Sequence, residues 1–276
     1  MQAILTSLDR RWRRNKSGFA PSHWKVCLFL TANLVLLAAL LFDWPVGANI
    51  KNIAPPIHFF GKLLTNFGES GWIILLSAFL FFEGWAGSRL LQSPRSRCQA
   101  LRICQIGGYL LTTIALSGII ANLLKRAIGR ARPTHFADWG PFGFSPFNGH
   151  AGFESFPSGH ATTIGAFFMA LAFLFPRYRY IFAACALWLA TTRVMIGAHY
   201  PSDVIAGLAL GGWFSFMMAI VYSRYGLLFR IDETGWPVPR LPLLKGQRYL
   251  GCSFSHPRPR QAQDEGGAHA APSRRG

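Results

Sequence analysis

Charge is scarce in this chain: 14% of its 276 residues are charged and only 11 are acidic, against 51% hydrophobic residues. Soluble globular domains carry about 25% charged residues, so an ordinary water-facing surface is excluded and the composition is that of a membrane protein. The shortage of acids beside 28 Lys and Arg leaves a net charge of +17. A nucleic-acid-binding patch would gather those cations on one surface. Here they are sorted by connection along the chain, and no nucleic-acid partner is expected. Cysteine is sparse too. Cys27, Cys98, Cys104, Cys185 and Cys252 include no C-x-x-C pair and fall in apolar runs or in strongly basic segments, which excludes a disulfide framework and a zinc site. Internal repeats are absent, so one membrane domain rather than an array is expected.

What is abundant is apolar sequence. Runs near residues 26–42, 72–87, 103–124, 161–175, 181–197 and 204–222 are long enough to cross a bilayer, and lipid leaves an unclosed chain no spanning structure but the helix. The expected fold is all-α: a six-span transmembrane helical bundle over residues 25–225, preceded by a basic cytoplasmic segment (1–24) and followed by a cytoplasmic tail (226–276). From about residue 255 the tail is dominated by Pro, Arg, Gln, Gly, Ala and Ser and is expected to be disordered. Residues 230–250, with Trp236, Leu243 and Leu244, are expected along the inner membrane surface, where basic residues meet anionic lipid.

Lysine and arginine orient the bundle. Six precede the first run, four lie in residues 88–102, two follow Phe175 and nine lie in the tail, so 21 of the 28 occupy alternate connections and 7 the others. The positive-inside rule then puts both termini in the cytoplasm, with Lys125, Arg132 and Arg193 among the seven on the outer side. Arg10-Arg11-Trp12-Arg13-Arg14 ahead of an apolar run also has the form of a secretory leader. Its only small-residue cleavage candidate, Val46-Gly47-Ala48, comes after Asp43 and Pro45, and an uncleaved first span is expected. After Pro55-Pro56, Ile57, Phe60, Leu63, Leu64 and Phe67 recur at helical spacing, which predicts a short helix in the outer interface, either a connector or a lipid-entry surface.

Three stretches carry chemistry: Lys125 to Arg132-Pro133 in the spacing Lys-x6-Arg-Pro, Pro157-Ser158-Gly159-His160, and Thr192-Arg193 followed by His199 and Asp203. Phosphoryl transfer asks mainly for positioning and for neutralisation of charge spread over equatorial oxygens. Lys125, Arg132 and Arg193 supply three such countercharges, the arginines as planar forks and the lysine as a point charge. Alternatives exist for each. Basic residues at a span end also snorkel, and Arg193, inside an apolar run, needs an anionic partner, either a bound phosphate or a carboxylate such as Asp203 or Glu83. Gly159 allows close approach of backbone to a ligand, and the N–H groups of a helix start attract anions. Ser158 reads as an anion contact or as an N-cap, His160 as an acid or as a cap. Asp203, four residues after His199, is within reach of one imidazole nitrogen and also suits a helix N-terminus. The loop 134–156 offers His135, Asp138, His150 and Glu154, but at spacings irregular for a metal; no metal or cofactor is expected, and its aromatics suit the membrane interface.

The order and spacing of these motifs resemble the type 2 phosphatidic acid phosphatase superfamily, integral-membrane lipid phosphate phosphatases related to vanadium haloperoxidases. The resemblance covers residues 70–225, with Thr192 standing where that pattern usually has Ser. It implies His199 as a nucleophile forming a phosphohistidine, Asp203 as its orienter, His160 as the acid that protonates the leaving oxygen, and Lys125, Arg132, Ser158, Gly159, Thr192 and Arg193 as the phosphate cradle. The implied enzyme is a metal-independent phosphatase of the bacterial inner membrane acting at the periplasmic face. Lipid A phosphate ranks first as substrate; undecaprenyl pyrophosphate, phosphatidylglycerophosphate and phosphatidic acid are alternatives, as is transfer of the phosphate to another lipid. A transporter or channel would also have six spans and an intramembrane arginine, but it leaves the clustering of the motifs on one face unexplained. A haloperoxidase would share the pocket but not the spans. Oligomeric state is not legible in the sequence.

Overall fold

The computed structural model describes residues 24–240. The basic residues before Trp24, the pair Leu243 and Leu244, and the tail expected to be disordered lie outside the described residues. Helix α1 (Trp24–Leu41) leads through a short α2 (Asp43–Ala48) and a 3₁₀ turn to α3 (Pro55–Thr65). A second 3₁₀ turn (Asn66–Gly68) joins α3 to α4 (Ser70–Leu90), which is followed by α5 (Pro94–Ile128), α6 (Phe136–Trp139), α7 (Gly159–Leu174), α8 (Arg179–Met195) and α9 (Pro201–Arg224). Strands β1 (Phe229–Ile231) and β2 (Pro237–Pro239) close the described chain.

All six apolar runs form helices, but among the described residues three stretches are long and apolar enough to cross a membrane: Pro55–Leu90, Pro94–Ile128 and Pro201–Arg224. The others are shorter. Helix α7 has 16 residues and α8 has 17, about 24–26 Å at 1.5 Å per residue against a hydrocarbon core of about 30 Å. The run read at 72–87 extends back through Asn66-Phe67-Gly68 into α3, the short helix predicted after Pro55-Pro56. Its Phe59, Phe60 and Leu63 are exposed while Gly61 and Thr65 are buried. The candidate cleavage stretch lies in α2, where Gly47 packs beneath the ring of Phe136.

Helices α7 and α9 form the centre, with α5 and α8 against α7, α1 against α9, and α4 on the outside of α5. A β-carbon on Gly207 would come within 2.5 Å of the Ser158 carbonyl, and one on Gly211 would strike the backbone of Thr162 and Ala166. Small residues here let two backbones touch, as in other membrane bundles where packing replaces the hydrophobic drive. Tyr109, Leu110, Ala170, Phe173, Leu174 and Ala219 fill the core between α5, α7 and α9, and Tyr109 Oη donates to the Ser215 carbonyl at 2.9 Å.

The strands depart from an all-helical reading. Pro237 and Pro239 have no N–H for a helix, and Asp232 Oδ1 accepts from Thr234 N, Thr234 Oγ1 and Trp236 N at 2.7–3.0 Å to make the turn. The resulting antiparallel pair, Phe229 opposite Pro239, seats Phe229 against Tyr109 at 4.9 Å and Trp236 against Phe216 at 5.5 Å. This part of the segment expected on the membrane surface is tied to the helix ends.

Candidate active site

The site forms where the end of α5, the connection after it, the start of α7, the end of α8 and the start of α9 meet. Gly129 ends α5 with φ 63°, a left-handed conformation that glycine adopts without strain, and its N–H bonds the Lys125 carbonyl at 2.8 Å. The connection then folds around the arginine stretch: Ala131 N bonds Gly143 O, Arg132 N bonds Gly152 O and Ser155 N bonds Arg130 O, at 2.8–3.0 Å. Pro201 opens α9 with the fixed φ of a first helical position. Asp203 reaches back to accept from Tyr200 N at 3.0 Å, and its carbonyl accepts from Ser158 N at 3.0 Å, joining the starts of α7 and α9.

His199 is 2% exposed. Its Nδ1 lies 2.8 Å from the Ser155 carbonyl and 3.8 Å from Asp203 Oδ2. A carbonyl oxygen only accepts, so Nδ1 carries the proton and Nε2 keeps the lone pair. Burial lowers the His199 pKa to about 4 against the opposing pull of Asp203, with Arg132 and Arg193 adding to the depression. The ring is therefore neutral at pH 7.

Three cations surround the imidazoles. A side chain on Gly159 would meet Lys125 Nζ at 3.0 Å, which sets the ammonium over the Ser158-Gly159 turn. Arg193 Nη1 donates to Thr65 Oγ1 at 2.7 Å, so α3 helps to hold it. Neither Asp203 nor Glu83 pairs with Arg193, and the Nε atoms of Arg193 and Arg132 are buried with no hydrogen-bond partner among the described residues. Burial, with the charges of Arg193, His199, Lys125 and Arg132, lowers the pKa of His160, half-buried at the second position of α7, to about 4, so without an anion in the site this ring too is neutral at pH 7. Burial also lowers the Arg132 pKa, partly offset by Glu154 and Asp203. The structure thus brings Lys125, Arg132, Gly159, His160, Arg193, His199 and Asp203 together.

Two hydroxyls have local partners. Ser158 accepts from Ala161 N as an N-cap at 3.5 Å, and Thr192 Oγ1 donates to the Leu189 carbonyl of its own helix at 2.6 Å. In the loop, His135 stacks on Phe153, and Glu154 lies 3.7 Å from Arg126. No group of three or more His, Cys, Asp or Glu able to hold a metal ion occurs among the described residues.

Sequence reasoning passed over the residues that brace the site. Arg130, 3% exposed, uses all five N–H groups: Nε and Nη2 to the Pro141 carbonyl at 2.9 and 2.7 Å, Nη2 to Asp43 Oδ2 at 2.7 Å, and Nη1 to Ser202 Oγ at 2.7 Å and Asp203 Oδ1 at 2.5 Å. Burial alone would lower its pKa, but Asp203 and Asp43 outweigh that and raise it. The guanidinium also stacks over Tyr200 at 4.6 Å, whose own pKa burial pushes up to about 12. Ser155 Oγ donates to Asp203 Oδ2 at 2.5 Å. The available signal was the cost of burying Asp43 at the end of an apolar run, which demands a cation.

A PAP2 superfamily model matches residues 106–226. The chain is 60% identical over 240 residues to a lipid A 1-phosphatase of Rhizobium johnstonii, covering 87% of this chain and 98% of that one. It is 61% identical over 220 residues to a lipid A 1-phosphatase of Rhizobium etli, covering 80% and 94%. The crystal structure of a transmembrane PAP2 type phosphatidylglycerolphosphate phosphatase from Bacillus subtilis has the same fold, with a TM-score of 0.50 at 19% identity over 71% of this chain and 96% of that one. With its motif residues gathered in one place and its relatives matched over nearly their whole length, this chain belongs to the PAP2 superfamily.

Proposed function

We propose that this chain is a lipid phosphate phosphatase of a bacterial membrane and that its substrate is the 1-phosphate of lipid A. The class, a phosphoric ester hydrolase, follows from the family and from the two Rhizobium relatives; the substrate is carried over from them at 60% and 61% identity. The observation that carries the chemistry is the cluster of Lys125, Arg132 and Arg193 around two imidazoles, with no carboxylate in ion-pair contact among the described residues and two buried guanidinium nitrogens unpartnered. Cations without an ion-pair partner in a low-dielectric site repel one another, and a phosphate dianion is the counterion that relieves them.

In the proposed reaction the bound phosphate dianion offsets the cations that depress His160, which takes up a proton; the lone pair of His199 Nε2 then attacks phosphorus, the bond from phosphorus to the lipid oxygen breaks, and His160 gives its proton to that oxygen. Water then attacks the phosphohistidine, His160 takes the proton back, and the P–N bond breaks to release inorganic phosphate. Ser158 and Gly159 present the start of α7 to the phosphate. Thr192 closes the turn before Arg193. Six spans, cytoplasmic termini and a site on the outer face of the inner membrane complete the reading, supported by a helix over each of the six apolar runs and by the 21 to 7 division of basic residues. The test is purified protein on lipid A carrying phosphates at both ends, read by mass spectrometry. Loss of the 1-phosphate, abolished by His199→Ala, is expected; turnover of undecaprenyl pyrophosphate or phosphatidylglycerophosphate but not lipid A would refute the substrate.

A further inference from the structure

We infer that Asp43, at the junction of α1 and α2, is a positioning residue for the reaction, holding His199 and its countercharge through Arg130, Ser202 and Asp203. The inference rests on the reading of His199 as nucleophile. Asp43 lies outside residues 106–226 matched by the family model, yet it is fully buried against them. Its Oδ1 accepts from Ser202 N at 3.1 Å, and its Oδ2 accepts from Ser202 Oγ at 2.5 Å and Arg130 Nη2 at 2.7 Å. On its other edge the same guanidinium binds Asp203 Oδ1 at 2.5 Å, and Asp203 Oδ2 faces His199 Nδ1 at 3.8 Å. Helix α2 is itself fixed to the site's connection by Trp44 against Phe136 at 5.3 Å.

Two consequences follow from this geometry. A guanidinium gripped by one carboxylate can swing, whereas Arg130, with every N–H assigned, is a rigid bar that sets the position of Asp203. The second consequence is electrostatic. Asp43, Arg130 and Asp203 together carry one net negative charge, and the His199 ring gains positive charge as Nε2 bonds to phosphorus. A fixed negative charge beside Nδ1 stabilises that transition state. Without Asp43 the group is neutral, and Arg130 draws on Asp203 alone.

The test compares Asp43→Asn with wild type, and the same change in an Asp203→Asn background, measuring kcat and KM on lipid A and inhibition by inorganic phosphate. The cations that hold phosphate are untouched, so kcat is expected to fall about 10-fold or more while KM and phosphate inhibition stay within about threefold. Once Asp203 has been changed, the additional loss is expected to shrink to about twofold or less, because the two residues act as one unit. An unchanged kcat, an equal fold-loss in both backgrounds, or a matching loss of phosphate binding overturns the inference. If Asp43→Asn is not monodisperse in detergent, Ser202→Ala, which removes only the hydroxyl between Asp43 and Arg130, decides: a smaller fall in kcat alone supports it, and an unchanged kcat overturns it. Absence of phosphate release by the wild type, or full activity in His199→Ala, would instead refute the functional reading itself.

Discussion

Arg130 and Arg132 stand two residues apart and do opposite things. Replacing Arg130 with Met removes five donated hydrogen bonds and leaves Asp43 and Asp203, both fully buried, without their cation. Breaking a buried ion pair by deleting one partner costs about 3–5 kcal/mol, a large part of a total stability of about 5–15 kcal/mol. At about 2–4 °C per kcal/mol for a chain of this size, the midpoint of thermal unfolding should drop by about 6–20 °C. Arg132→Met deletes a cation whose Nε has no partner. It orphans no carboxylate, so its midpoint should stay within about 2 °C of wild type, while phosphate binding and turnover collapse. Thermal unfolding in detergent, followed by tryptophan fluorescence beside a phosphate-release assay, separates the two. Equal midpoints, or a larger drop for Arg132→Met, would refute the assignment of one arginine to the scaffold and the other to the substrate.

The low pKa of His199, about 4, keeps the nucleophile unprotonated as pH falls through 6.5 and extinguishes it only on approach to that value; a pH profile of kcat/KM, corrected for titration of the substrate phosphate, should lack an acid limb near 6.5, and finding one would contradict the neutral ring. His160→Ala should slow release of a lipid alkoxide by about 10²–10⁴-fold but that of an activated aryl oxygen far less, and equal losses on both substrates would deny it the acid role. Reporter fusions should put both termini in the cytoplasm and residue 140 outside, as the division of basic residues requires; an external C-terminus would move the site to the other face.

Much of this was legible because its physics is local. Apolar runs announced the helices, and Gly159 and the cations between runs announced the places where a helix begins beside charge. Arg130 was in plain view between Lys125 and Arg132, but its partners lie 87 residues earlier, at Asp43, and 73 later, at Asp203, and no spacing rule reaches so far. Ser155 serves His199 through its carbonyl, a group every residue has, so side-chain identity carried no signal. Beside Asp203, expected to orient the imidazole, the Ser155 carbonyl is a second anchor, 2.8 Å from Nδ1. The β1 and β2 pair depends on Phe229 finding Tyr109, a contact between distant segments. Thr192 and Ser158 show the converse limit: a hydroxyl in a motif is visible, but its partner within the helix is settled only by the rotamer.

The most direct test is transfer of the phosphate itself. Lipid A labelled with ³²P at the 1-position, mixed with the protein and quenched in alkali, in which phosphohistidine survives, should give label bound to His199 within one turnover, ahead of inorganic phosphate, and none in the His199→Ala variant. Label passing straight to inorganic phosphate with no protein-bound intermediate, together with turnover that survives His199→Ala, would contradict a site built to make that imidazole the nucleophile.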